Sequence, residues 1–121
     1  MQAELRSLFS TDVDDLRSSA PGDRFCITLH ALIGPSGLPG EESFDFDICS
    51  PLWLTAEVER DGVVSGRFRL FMAQFDYDAV ERYVANRIAQ ATGADWDEVA
   101  TKLARWSHWE FEDYTASPPE R

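Results

Sequence analysis

Phe25-Cys26-Ile27-Thr28-Leu29-His30-Ala31-Leu32-Ile33, Gly34-Pro35-Ser36-Gly37-Leu38-Pro39-Gly40 and Ser43-Phe44-Asp45-Phe46-Asp47-Ile48 together decide the fold. In the first run Phe25, Ile27, Leu29, Ala31 and Ile33 take every second position, the period of a strand with one buried face. The Gly/Pro segment cannot continue a hydrogen-bonded ladder. Phe44, Phe46 and Ile48 then alternate with Ser43, Asp45 and Asp47, so the two runs make a hairpin with a long loop. A one-residue slip would turn every side chain to the wrong face, which leaves a register of Ile27 opposite Ile48, Leu29 opposite Phe46 and Ala31 opposite Phe44, or a shift of it by two. The same register sets Cys26 against Cys49, Thr28 against Asp47 and His30 against Asp45 on the other face.

Working outward, Ala3 to Phe9 partly alternates apolar with polar residues and predicts a first strand, with turn chemistry in Ser10-Thr11-Asp12. Val13 to Arg24, rich in Asp, Ser, Pro and Gly, predicts a connection carrying little core, with a short helical turn around Asp14 to Arg17. Ser50-Pro51 predicts an N-cap and a first helical residue, opening a short helix with Trp53 packed at its start and Asp61-Gly62 at its end. Arg67 to Met72, apolar onward to Phe75, predicts a fourth strand.

Asp76 or Asp78 can cap a helix whose stripe is Tyr77, Val80, Val84, Ile88 and Ala91, stopped by Gly93. Asp95 with Glu98 forms a capping-box pattern ahead of Trp96, Val99, Leu103 and Trp106. From Ser107 to Tyr114 aromatic and acidic residues interleave, so the aromatics should dock on the core. The expected fold is α+β: a mainly antiparallel sheet of about four strands, two C-terminal helices on one face, a short helix after the third strand, and the opposite face partly open. Residues 1–114 read as a single domain and 115–121 as a flexible, Pro-bearing tail.

Composition narrows the function. The 121 residues hold 22 acidic and 11 basic side chains, a formal charge of −11 that repels nucleic acid phosphates and anionic lipid and suits a basic partner. After Met1 there is no apolar stretch of signal-peptide type and no run of membrane-spanning length, so a cytoplasmic protein is expected. Cys26 and Cys49 are too few for a disulfide framework or a zinc cage and read as packing thiols. The apolar content, including four Trp and eight Phe, can fill a core without metal or disulfide support.

Catalytic signatures are incomplete. His108-Trp109-Glu110 has the H-x-E form of zinc deaminases but lacks the later cysteine pair, and His108 is better read as ending the last helix, where a charged ring suits the dipole. Asp45 and Asp47, with Glu41 and Glu42 nearby, could offer oxygen ligands to a hard cation, but two neighbouring carboxylates make a weak site. A hydrolase using Cys26, His30 and Asp45 is the competing enzyme reading; a Cys and a His four apart on a strand lie about 13 Å apart at the usual rise per residue. The Gly34–Gly40 loop has prolines where a phosphate loop needs N–H donors. No metal, cofactor or catalytic residue is therefore expected.

Taken in order, the strings Ala3-Glu4-Leu5, Ile33-Gly34-Pro35, Gly40-Glu41-Glu42-Ser43-Phe44-Asp45-Phe46, Cys49-Ser50-Pro51-Leu52-Trp53-Leu54 and His108-Trp109-Glu110-Phe111-Glu112-Asp113-Tyr114 resemble the immunity protein 8 family. That resemblance spans Met1 to about Tyr114. It implies a small bacterial protein that neutralises a cognate toxin of a polymorphic toxin system, and it brings no catalytic mechanism. With the acidity of the chain, the expected partner is a basic toxin domain, for which a nuclease would qualify, and the partner-binding candidates are His30, Glu41, Glu42, Asp45, Asp47, Glu110, Glu112 and Asp113. An acidic adaptor unconnected with toxins shares the same composition and would differ only in its partner.

Overall fold

A β-strand that buries alternate side chains must meet its neighbour in one register, and this hairpin does so. In the computed structural model, which describes residues 1–113, β2 (Cys26–Pro35) and β3 (Glu42–Cys49) pair antiparallel with Ile27 opposite Ile48, Leu29 opposite Phe46 and Ala31 opposite Phe44. All six are buried, and each large apolar side chain among them contributes about 1.5–3 kcal/mol by leaving water. Gly34 closes the loop end: a Cβ there would sit 2.1 Å from the Gly40 carbonyl oxygen, so only glycine allows the two arms to meet.

β1 (Ala3–Phe9) adds antiparallel to β2, with the register shifting between Leu5 and Ser7. Such a bulge, with Glu4 and Arg6 exposed beside it, blunts an open sheet edge against further pairing. The connection after β1 departs from expectation. Asp15 accepts hydrogen bonds from the Arg17 N–H at 3.1 Å and the Ser18 hydroxyl at 2.8 Å, making an Asx-type turn where a helical turn was expected. Leu16 is thereby placed in the core, so this segment carries more of it than its polarity suggests.

Ser50 joins β3 to the first helix. It is fully buried, and its hydroxyl oxygen accepts both the Trp53 N–H of the N-cap bond, at 3.2 Å, and the Phe25 N–H at the start of β2, at 3.0 Å. α1 (Pro51–Asp61) follows and contains no fully buried residue. It crosses to β4 (Arg69–Phe71), which pairs parallel with β3, the one parallel pairing among the described residues. β4 is far shorter than the strand expected over Arg67–Phe75. Phe68 takes φ 63°, a left-handed conformation that ends extended structure just before Arg69.

α2 (Tyr77–Gln90) is capped by Asp76 and buries Val80, Val84 and Ile88. α3 (Trp96–Leu103) is capped by Asp95, whose Oδ1 accepts from the Glu98 N–H at 2.9 Å, and buries Val99, Ala100 and Leu103. The returning half of the capping box lands one residue early: Glu98 accepts from the Ala94 N–H at 3.2 Å. Both helices cover the face of the sheet that holds Leu29, Phe44 and Phe46, and Trp106 closes the core beyond α3 with its ring 5.4 Å from that of Phe46.

Last, β5 (His108–Trp109) pairs antiparallel with β3, so that β4 and β5 share one edge of β3 along its length. His108 therefore does not terminate a helix; α3 stops at Leu103, and of the aromatic-acidic alternation that follows only His108–Trp109 form a strand, Glu110 to Asp113 turning away. The tail expected over 115–121 lies outside the described residues.

Because the Ser50 hydroxyl serves two backbone donors, Ser50→Ala should destabilise the protein by about 2–3 kcal/mol, more than the roughly 1 kcal/mol of an ordinary cap. In urea unfolding this appears as a lower midpoint with an unchanged slope.

Candidate partner-binding surface

The hairpin register that buries Leu29 and Phe46 turns Thr28, His30, Asp45 and Asp47 to the other face of the sheet. His30 Nδ1 lies 3.0 Å from Asp45 Oδ1, and the Ser43 hydroxyl donates to the same oxygen at 2.7 Å. Thr28 donates to Asp47 at 2.7 Å. Neighbouring strands extend the row. Phe9, opposite His30 in β1, has its ring 5.2 Å from the imidazole; His108, opposite Asp45 in β5, has its ring 5.2 Å from that of Phe68. Phe68 in turn lies under the Arg67 guanidinium at 4.4 Å, and Glu112 holds that guanidinium at 2.8 Å. A continuous lane thus runs from Phe9 through His30, Asp45 and His108 to Phe68, drawing on β1, β2, β3, β5 and the loop before β4.

One end of this face is covered. Arg69, opposite Asp47 in the β3–β4 register, lies 3.5 Å from Glu57 of α1 and stacks on Trp53 at 5.3 Å. α1 therefore sits over the end that carries Cys26 and Cys49, while the lane itself is left in contact with solvent. The Cys49 thiol donates to the Cys26 sulfur at 3.1 Å. Burial, above all, pushes both thiols up, Cys49 far beyond the ordinary thiol range. Neither is an activated nucleophile. Nor do Cys26, His30 and Asp45 converge as the hydrolase reading requires: the near neighbour of Cys26 is Cys49, and that of His30 is Asp45.

The candidate residues divide by environment. His30, Asp45 and Asp47 belong to the outward sheet face. Glu41 is exposed at its margin, and Glu110 is exposed beside it, its Oε1 accepting the Ser43 N–H at 2.8 Å. Asp113 is exposed in a left-handed conformation at φ 62°. Glu112 is engaged by Arg67 and mostly covered. Glu42 points inward: its carboxylate accepts the indole N–H of Trp96 from α3 and, at 3.1 Å, that of Trp109 from β5. It is a structural clamp. Phe9, Phe68 and His108 were not among the candidates. The signal for His108 was present in the alternation of residues 108–111, which matches a strand as well as a docked chain end; none marked Phe68.

Two other properties bear on chemistry. Among the described residues, no three His, Cys, Asp or Glu side chains are grouped to hold a metal ion. None of the described helices is long and apolar enough to cross a membrane. An apolar groove of about 410 Å³ opens where β4 meets α2, lined by Ile48, Leu70, Phe71, Met72, Val80 and Tyr83, with Arg69 as its one charged residue.

These features define an α+β domain with one helical layer and an outward, polar sheet face. The chain belongs to the immunity protein 8 family, whose sequence profile matches residues 3–114. No curated protein and no solved structure matches it significantly. The family carries an immunity-protein role and implies a toxin as the partner.

Removing the Glu42 clamp strands two indole N–H groups, so Glu42→Ala should cost about 1–3 kcal/mol of stability in chemical denaturation. The raised thiols give a second expectation. At pH 8 the folded protein should resist alkylation by iodoacetamide, and unfolding in urea should expose two rapidly reacting thiols. The stability these buried thiols contribute is complete below the unfolded thiol value, near 8.5, and declines as pH rises above it, because only the unfolded chain then ionises readily.

Proposed function

We propose that this immunity protein neutralises its cognate toxin by direct binding, in the cytoplasm, through an acidic surface. The observation that carries the reading is the family match over residues 3–114 joined to a net charge of −11. Residues 76–105, the helical layer, hold six acidic and four basic side chains, a net of −2, which leaves −9 of the −11 to the sheet, its loops, α1 and the chain ends. A negative surface attracts a basic partner and speeds their encounter. A nuclease toxin would fit, since its substrate site must be basic and a row of carboxylates can occupy it in place of phosphates. The raised thiols and the separation of Cys26 from His30 weigh against the hydrolase alternative.

The test is protection. Cells expressing the toxin encoded beside this protein should survive when the protein is co-expressed and die when it is not; no protection would overturn the reading. With both proteins purified, raising salt from about 50 mM to about 500 mM should slow association by at least about tenfold, measured by stopped-flow or surface plasmon resonance. Salt-insensitive association would remove the acidic surface from the account.

A further inference from the structure

We infer that the lane Phe9–His30–Asp45–His108–Phe68 is where the toxin docks, and that it takes a basic, arginine-bearing segment of that partner. This rests on the toxin-binding reading and specifies its surface.

The first argument is the shape of the uncovered face. α2 and α3 fill one side of the sheet, and α1 shields only the end of the other side around Arg69 and Cys49, so this polar row is the part of the sheet left without a protein layer. Its members are partly exposed: Phe9 at 39%, with 35% of the Asp45 side chain and 25% of His30 accessible. They are also fixed. His30 and Ser43 both bind Oδ1 of Asp45, which holds the carboxylate in place while Oδ2 has no hydrogen-bond partner among the described residues. Phe68 is held between Arg67 and His108. A surface whose side chains are already ordered loses little entropy on binding.

Charge complementarity selects the occupant. At the centre lies a carboxylate with one oxygen still free to accept, and along the margin stand Glu41, Glu110 and Asp113, all exposed. The two arginines beside the row are engaged, Arg67 by Glu112 and Arg69 by Glu57. A cation from outside is what this arrangement lacks. Of the rings on either side, Phe68 already carries Arg67 over its face, whereas Phe9, tilted against His30 at the exposed edge, is left to stack an incoming group, and an aromatic face suits a planar guanidinium better than an ammonium group. The apolar groove beside β4 offers a partner no carboxylate among its lining residues, so it does not supply this complementarity.

The experiment measures binding of the adjacent toxin's purified domain to the wild type and to variants, each checked for folding by circular dichroism and thermal melting. Asp45→Asn keeps the shape and can still bond His30; it should weaken binding about tenfold, and Asp45→Lys by about 100-fold or more. Phe9→Ala, a change at an exposed edge position, should weaken binding severalfold even if the Asp45→Lys protein folds poorly. Asp97→Asn and Arg105→Ala on the helical layer should leave affinity unchanged. The two histidines, the only ones in the chain, are spectroscopic reporters, and both imidazole signals should shift when the toxin is added. If the wild type binds but the Asp45 and Phe9 variants bind equally well, or if Phe71→Ala and Tyr83→Ala in the groove abolish binding instead, the lane is overturned and toxin binding stands. If the wild type neither binds nor protects, both are overturned.

Discussion

The pairing of β2 with β3 governs both faces of the sheet at once, because a strand sends successive side chains to opposite sides. Packing Leu29 against Phe46 and Ala31 against Phe44 in the core leaves no freedom for their neighbours: Thr28, His30, Asp45 and Asp47 must share the other face. The helical layer, the core and the polar row therefore have one cause. Shifting that register by one residue would exchange the apolar core for a face of histidine and carboxylates, at a cost of many kilocalories, which no local preference in the loop could offset.

Other contacts bind the remaining elements to this hairpin. Ser50 couples the end of β3 to the start of β2 and to α1 through a single hydroxyl. Glu42, at the other end of β3, gathers α3 and β5 through two indole N–H groups. Between them these two polar side chains stand at the ends of one strand and hold elements from distant parts of the chain. Acidic residues in this protein thus play two roles that composition cannot separate. Glu42 and Glu112 are engaged by indoles and by Arg67, whereas Glu41, Glu110 and Asp113 face solvent and Asp45 keeps one oxygen outward.

For an immunity protein this division matters, since a partner can use only the charge that the fold leaves free. The ordered row on the sheet combines a carboxylate with aromatic side chains. In that respect it resembles the centre of a protein interface, where rigid aromatics surround a few polar groups, more than a merely hydrated sheet face.

Much of the architecture was legible in the sequence because it follows from local periodicity and capping. Phe25 to Ile48 determined the hairpin and its register to within a shift of two, Ser50-Pro51 the start of α1, Asp76 or Asp78 that of α2, and Asp95 that of α3. The placement of His30 beside Asp45 followed from the register alone. Tertiary structure decided what depends on distant residues meeting. Residues 67–75 have the composition of a long strand, yet Phe68 adopts a left-handed conformation with its ring against His108 and its carbonyl bonded to the Asp47 N–H, leaving only Arg69–Phe71 extended. His108 reads as a helix end until β3 provides an edge for it to join. Glu42 looks like any solvated carboxylate until two tryptophans, 54 and 67 residues away, turn toward it. Periodicity records which side of its own element a residue occupies; only the assembled fold determines which side chain from elsewhere will be waiting there.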